Sequence, residues 1–451
     1  MNARGKKILI VGLGVSGFSA AVLLSEKGAI VSVSESLQSE VVKKRRDLLV
    51  GKGVLVEIGA HTREFCEGCE LVVVSPGVDK NDLPFQGYSE GKVPVIGELE
   101  LGYLFCSAPI VAITGTNGKT TVTSLTGDIL AASGKHTVVC GNIGKAFTGE
   151  VEKITEKSSV VLEVSSFQLE TIRDFRPRVA VLLNVTDDHY DRHDCFEGYK
   201  DIKFGIFSNQ TSSDWAVIHS DFAEDPALKK IRSKIVFYGG KLARYRAEDD
   251  RVILSLPGKE EIFLIDDEVS IKGKHNMENI ACCCQIAEIE GVDVSTVKKA
   301  IINFKGLEHR FQKVAAFGGL VFIDDSKATN VDATKRALES VDTRVVLIAG
   351  GRDKLGNYGV LSVLMAERVS TLVVIGEARE NIKKVFSGIV NILEADSMAD
   401  AVEKAVEVAQ KGEAVMLSPM CSSFDMFESY RHRGRVFCEA VKVVSERSGL
   451  S

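Results

Sequence analysis

Apolar and polar positions alternate in blocks along this chain, and the block length tells one element from another. Short apolar runs recur at Ile8–Val11, Ile30–Val33 and Leu71–Val74, and between the first two lies Ser16–Lys27, where apolar residues return at helical spacing. A strand covered on both faces reads as a continuous apolar run, whereas an amphipathic helix has a period near 3.6. Strand–helix alternation predicts a parallel sheet with helices on both sides. Near Cys106–Pro109 the pattern restarts, with a strand at Ile110–Ile113, a glycine loop at Thr114–Lys119, a helix at Thr120–Ser133 and buried strands at Val160–Val164 and Val179–Leu183. It pauses again around Phe304–Arg310. A third block places strands at Val321–Ile323, Val345–Ile348, Leu372–Ile375 and Ala414–Leu417. It closes with a long amphipathic helix after Phe424, with Phe427, Phe437, Val441 and Val444 along one side.

With 451 residues the chain is too long for a single core. The two pauses predict an α/β protein of three domains. Apolar residues make up 45%, charged residues 26%, and the formal charge is -6. A mildly acidic chain has no global electrostatic reason to collect on nucleic acid or anionic lipid, so neither is expected as a partner. Anion sites must come from backbone amides and a few placed cations. The opening apolar run is too short for a signal-peptide core or a membrane span. The ten cysteines lie mostly in apolar segments without a CxxC pair, and Cys282, Cys283 and Cys284 are consecutive, as suits small buried hydrophobes in a reducing cytoplasm.

Two glycine clusters carry candidate chemistry. Gly12-Leu13-Gly14-Val15-Ser16-Gly17 follows a strand and opens a helix, and Glu35 ends the next strand. Such a turn presents amides to a diphosphate at the positive end of a helix. NAD, another nucleotide diphosphate and a ligand-free tight turn all fit it. The second cluster is Gly115-Thr116-Asn117-Gly118-Lys119-Thr120-Thr121, again between strand and helix. Its amides can surround phosphate oxygens, Lys119 can neutralise β/γ charge, and the Thr120 hydroxyl can reach Mg²⁺. Ile113 stands where the full Walker pattern has its first glycine. A dehydrogenase has no use for Lys119. A nucleotide sensor without turnover does, and stays open at this point.

Strand ends supply further groups. Glu163 closes one strand, and Asn184, Asp187, Asp188 and His189 follow the next. Ligands of open α/β sheets gather at such carboxyl ends, and Mg²⁺ needs only one or two carboxylates. Tyr199, Lys203 and Phe207 share one helix face. From spacing alone, Lys203 reads as a stem lying on aromatics with its ammonium in water. In the third block, Asp324-Asp325-Ser326-Lys327-Ala328-Thr329-Asn330, Gly350-Gly351-Arg352-Asp353-Lys354 and Ser418-Pro419 with Ser422-Ser423-Phe424 all follow strands. Cations and hydroxyls at one rim suit a small dicarboxylate.

Taken in order, GLGVSG, SPGV, GTNGKTT, GNIG, EVSSFQLE, NVTDDHYDRH, YKDIK, KGKHNMEN, GLEHR, DDSKATN, GGRDK and LSPMCSSFDMFESYRHRG resemble the Mur ligases over nearly the whole chain. DSKATN and the SPxCxSFDxFxxYxxRG stretch resemble the branch that adds D-glutamate. The resemblance implies ATP-dependent amide formation between UDP-N-acetylmuramoyl-L-alanine and D-glutamate through an acyl phosphate, in peptidoglycan precursor synthesis. It implies a Rossmann-like UDP-substrate domain at 1–105, a P-loop ATPase-like domain with a mainly parallel sheet at 106–307 and a Rossmann-like amino-acid domain at 308–451. Val15, Ser16, Gly17 and Gly77 would hold the UDP substrate, with uracil near Ser34, Glu35 and Ser36; Ser36 lacks the basic charge often found there. Asn142 and His189 would face the same substrate. Gly115, Thr116, Asn117, Gly118, Lys119, Thr120, Thr121, Asn276, Arg310 and Asp325 would bind ATP. Thr120, Glu163, His189 and a carbamylated Lys203 would hold two Mg²⁺ ions, with Lys119, His189 and Lys203 catalytic. Lys327, Thr329, Lys354, Ser423, Phe424 and Tyr430 would bind D-glutamate. The expected enzyme is a cytoplasmic monomer whose third domain closes on a hinge near residues 304–310.

Overall fold

The computed structural model describes residues 1–78, 93–186, 195–353 and 356–447. Three parallel sheets follow one another along the chain. The first has strands β1 (Lys7–Val11), β2 (Ile30–Glu35), β3 (Leu55–Ile58), β4 (Leu71–Val74) and β5 (Val95–Gly97) in the order β3-β2-β1-β4-β5. The second has β6 (Ile110–Thr114), β7 (Thr137–Gly141), β8 (Ser159–Glu163), β9 (Val179–Leu182), β10 (Trp215–His219) and β11 (Lys234–Tyr238) in the order β11-β10-β9-β6-β8-β7. Every pair in both is parallel. Apolar clusters pack on both faces of each sheet, which is why the strands read as apolar runs.

A small antiparallel sheet of β12 (Tyr245–Glu248), β13 (Arg251–Leu256) and β14 (Lys259–Ile265) follows, absent from the sequence reading. Its outer strands β12 and β14 are half-exposed and polar, so only Val252–Leu254 of β13 gives a short apolar run. The last sheet holds β15 (Gln312–Phe317), β16 (Leu320–Asp324), β17 (Val345–Gly350), β18 (Val369–Ile375), β19 (Asn391–Glu394) and β20 (Ala414–Leu417) in the order β15-β16-β20-β17-β18-β19. Only the edge strand β15 is antiparallel.

The closing helix spans Tyr430–Arg447, later than expected. Phe427 lies before it but packs against the same apolar cluster as Phe437 and Val441, which is why it mimicked the helical period. The helix Glu98–Phe105 joins the first two units. Its Glu100 carboxylate accepts the backbone N–H groups of Arg173, Asp174 and Phe175 at 2.8, 2.9 and 3.0 Å, so that chain reversal is pinned to the helix. Cys282, Cys283 and Cys284 are buried in the helix Lys274–Ile289 among apolar side chains, and burial pushes the Cys283 thiol up to about 12. Among the described residues no helix is long and apolar enough to cross a membrane.

Candidate active site

In the first sheet, strand order reverses between β1 and β4, and the Gly12–Gly17 turn lies at that switch point. A Cβ on Gly17 would meet the Gly12 carbonyl oxygen at 1.9 Å, so only glycine lets the helix Val15–Glu26 start so close to the strand. The Ser75 hydroxyl donates to the Gly12 carbonyl at 3.1 Å and brings the Ser75-Pro76-Gly77 turn beside it. Val15 and Gly77 are exposed there and Ser16 is half-buried, as a ligand site requires. The Ser34 side chain is turned inward. It is fully buried, with its hydroxyl donating to the Ala60 carbonyl at 3.2 Å and lying 2.7 Å from His61 Nδ1. The Glu35 carboxylate is engaged too, accepting from Leu13 N at 2.6 Å and Leu37 N at 2.9 Å. Their polar atoms brace the turn, leaving the exposed Ser36 at the rim.

In the second sheet β6 lies between β9 and β8, and the loop after it enters the helix Lys119–Ala132. Gly118 caps that helix at φ +83°, and a Cβ there would meet Asn279 Oδ1 at 2.5 Å. Two loop amides are held by one residue: Thr116 N donates to the Asn184 backbone carbonyl at 2.9 Å and Asn117 N to its side-chain oxygen at 2.8 Å. The next donors belong to the first helical turn, where no carbonyl four residues back is in place. Lys119 Nζ donates to the carbonyls of Gly115 and Thr116 at 2.8 and 2.7 Å, curling over its own loop.

Around this loop the structure assembles most of the predicted groups. Glu163 is 2% exposed at the end of β8, and Asn142 Nδ2 donates to its Oε1 at 2.7 Å. Its other oxygen has no hydrogen-bond partner among the described residues. Burial alone would raise the Glu163 carboxyl. The Lys119 charge, the nearby Thr120 hydroxyl, Arg310 and Asn142 outweigh it and hold the group below the ordinary carboxylate value. Arg310 crosses from the third unit and donates to the Thr120 hydroxyl. Asp325 accepts from Phe311 N at 3.1 Å and from the Ser418 hydroxyl at 3.0 Å, and burial pushes its carboxyl up to about 7. Asn276 is buried on the helix face that meets the loop.

Lys203 overturns the reading from spacing. It is 1% exposed, its Nζ donates to the Gly115 carbonyl at 2.8 Å and lies 4.5 Å from the centre of the Tyr199 ring. The aromatic face on which it sits is covered by the phosphate loop, so its nitrogen reaches no water. At the strand ends of the third unit, Lys327 Nζ lies 4.2 Å from the Tyr430 ring centre, Ser423 is buried and Phe424 is 64% exposed. Thr329 lines the same crevice as Lys327 and the phosphate loop. His189 and Lys354, like Asp187 and Asp188, lie outside the described residues.

Sequence reasoning missed Asn279, Asp332, Arg336 and Arg433. Asn279 lines the crevice one helical turn from Asn276, and Asn279 Nδ2 donates to Asn276 Oδ1 at 3.1 Å. That i, i+3 pair was a usable signal. The other three act across elements far apart in sequence.

A phosphate loop facing a cation- and hydroxyl-bearing strand rim across a crevice is the arrangement of a nucleotide-using enzyme. Comparison with known proteins is specific. Residues 6–97 match the Mur ligase MurD-like N-terminal domain, 113–287 the Mur ligase middle domain and 309–421 the Mur ligase glutamate ligase domain. A UDP-N-acetylmuramoylalanine–D-glutamate ligase of Desulfosudis oleivorans is 43% identical, covering 99% of this chain and 98% of the relative. One from Koribacter versatilis is 40% identical, covering 99% of each. The solved MurF ligase of Thermotoga maritima in complex with ADP shares the fold, with a TM-score of 0.63 at 15% identity over 93% of this chain and 95% of that one. The chain belongs to the Mur ligase family, with the UDP-N-acetylmuramoylalanine–D-glutamate ligases.

Proposed function

We propose that this protein joins D-glutamate to UDP-N-acetylmuramoyl-L-alanine at the expense of ATP, in peptidoglycan precursor synthesis. One observation carries most of the reading: Lys119, Thr120 and a buried, ionised Glu163 meet at the phosphate loop, and Arg310 reaches Thr120 from the unit that bears Lys327. A carboxylate resists attack by an amine because oxide is a poor leaving group. Transfer of the γ-phosphoryl group to the alanyl carboxylate gives an acyl phosphate. The D-glutamate amine then adds to that carbonyl, and the tetrahedral intermediate expels phosphate as the amide forms. Both steps build negative charge, which Lys119 and Arg310 are placed to stabilise. Proximity supplies much of the rest, on the order of 7–11 kcal/mol for well-oriented groups.

The residues present fit magnesium. Glu163 offers an enclosed carboxylate oxygen with no hydrogen-bond partner among the described residues, and Thr120 offers a hydroxyl at the helix start. His189 and a carbamylated Lys203 complete the proposed set for two ions. The metal, when bound, neutralises phosphoryl charge. Carbon dioxide added to Lys203 leaves one N–H able to donate to Gly115 and turns a buried cation into an anion. The UDP diphosphate is assigned to the Gly12–Gly17 turn and D-glutamate to the rim of Lys327, Thr329, Lys354, Ser423, Phe424 and Tyr430. With domain boundaries at 105 and 307, the UDP substrate is assigned chiefly to the first unit, ATP to the second and D-glutamate to the third, with Asn142, His189, Arg310 and Asp325 serving a ligand of a neighbouring unit. Six of the ten cysteines are buried, as suits thiols in a reducing cytoplasm, which supports a cytoplasmic location. One chain carries every assigned group, which supports a monomer.

Phosphate release tests the reading. It is expected only when ATP, UDP-N-acetylmuramoyl-L-alanine and D-glutamate are all present. Release that ignores D-glutamate, or answers equally to L-glutamate or diaminopimelate, would overturn it.

A further inference from the structure

We infer that Arg433 is a positioning residue for the amino-acid acceptor: one buried guanidinium that holds the three loops of the acceptor rim in register. The inference rests on the D-glutamate assignment above. Arg433 belongs to the closing helix and is 0% exposed. A guanidinium has five N–H donors in a rigid fork, and here five bonds leave it. Nε donates to the Ser326 hydroxyl at 3.0 Å. One terminal nitrogen donates to the carbonyls of Gly350 and Ser422 at 3.4 and 3.3 Å. The other donates to the carbonyls of Ser326 and Cys421 at 2.8 and 3.1 Å. Among the described residues no carboxylate lies within ion-pair distance of it, so its hydrogen-bond partners are carbonyl and hydroxyl oxygens, while Asp425, Asp324 and Asp325 favour the cation from further off.

Those oxygens come from the loops after β16 and β20 and from Gly350, the last residue of β17, where the third loop begins. Strands β16, β20 and β17 are adjacent, and the loops at 325–329, 418–424 and 351–353 leave their carboxyl ends side by side. Direct bonds join neighbouring loops in pairs: Arg352 N donates to the Ser422 carbonyl at 2.9 Å and the Ser418 hydroxyl to Asp325 at 3.0 Å. Arg433 is one group that bonds at all three strand ends at once. Gly351 shows how tightly, because a Cβ there would meet the Ser422 carbonyl oxygen at 2.2 Å and Arg433 Nη1 at 3.1 Å. The Ser326 hydroxyl passes the link on by donating to the Tyr430 carbonyl at 2.8 Å. Lys327 follows Ser326 and Ser423 follows Ser422, so both acceptor groups sit one residue from an atom held by Arg433. Burial lowers the Arg433 pKa to about 10, which leaves the cation intact at neutral pH.

Lysine keeps the charge but offers three donors on a single atom, which cannot span three loops. The test varies each substrate in turn for the full-length chain and for Arg433→Lys and Arg433→Met. The expected result is a rise of tenfold or more in the D-glutamate KM, with the KM values for ATP and the UDP substrate within twofold. Amide exchange in the unliganded variants should rise at 325–329, 351–353 and 418–424 and stay level at 115–121. KM values that move together, a D-glutamate KM that does not move, or exchange unchanged in the three loops would each overturn the inference. If neither variant folds, Ser326→Ala, which removes one hydroxyl and keeps the cation, must raise the D-glutamate KM alone by several-fold, or the inference fails. Failure of the underlying reading is distinguishable: the unaltered chain would then show no phosphate release on addition of D-glutamate.

Discussion

The side-chain amide of Asn117, in the phosphate loop, donates a 2.7 Å hydrogen bond to the carboxylate of Asp332, 215 residues further along the chain. Asp332 opens the helix Val331–Glu339 of the third unit and also accepts from Arg336 Nε at 3.0 Å. Arg336 lies 3.7 Å from Glu278 of the central unit. Phosphate loop and third unit are thereby tied by charge-assisted contacts. A hydrogen bond to a charged group contributes roughly 1.5–3 kcal/mol. Asp332→Ala should shift the balance toward an open arrangement about tenfold or more. Small-angle scattering should show a larger radius for the variant, and an unchanged profile would count against the tie.

The phosphate loop makes a sharper prediction. Lys119→Ala removes the cation beside Glu163 and should lower kcat by roughly 10²–10³-fold. Thermal stability should change far less, because the Lys119 ammonium bonds to carbonyls of its own loop. Glu163→Gln should weaken the response to magnesium more than the affinity for ATP. Titration of activity with Mg²⁺ checks this, and an unshifted midpoint would remove Glu163 from the metal set.

Asp325 predicts a pH effect on stability. Its carboxyl is pushed from 3.8 up to about 7, chiefly by burial, with Asp324 adding and Ser418, Phe311 N and Arg310 opposing. A raised pKa favours the protonated form in the folded state. The contribution is complete below about pH 4 and is lost as pH rises through about 7. Asp325→Asn keeps an acceptor for Ser418 and cannot ionise. Its melting temperature should fall less than that of the parent between pH 4 and 8. Parallel curves would refute the assignment.

Lys203 can be read by mass. If carbon dioxide is added there, intact mass in bicarbonate should exceed that of Lys203→Ala by the side-chain difference plus one carbon dioxide. Activity of Lys203→Ala should drop roughly a hundredfold or more and recover in part with a short carboxylic acid. No added mass and no rescue would leave Lys203 as a buried ammonium bonded to Gly115.

Much of the fold was legible because a parallel strand covered on both faces must be apolar throughout, as Val179–Leu182 and Val345–Gly350 are. The half-exposed strands Tyr245–Glu248 and Lys259–Ile265 carry no such mark and were missed. Gly118 and Lys119 were legible for a local reason, since a tight turn into a helix needs glycine at φ +83° whatever surrounds it. That the Ser34 hydroxyl meets Ala60 and His61 was not legible, because no local pattern says which distant polar group will meet a buried hydroxyl.

By itself the sequence determined the α/β alternation, the three blocks and the phosphate loop, because these depend on neighbours within one turn or one strand. Only the tertiary structure decided that Lys203 is dry, that Arg310 reaches Thr120 and that Arg433 joins three loops. Burial and hydrogen-bond partners there come from segments as far as 190 residues apart, as between Arg310 and Thr120, and no local periodicity records which distant oxygen will meet a given donor.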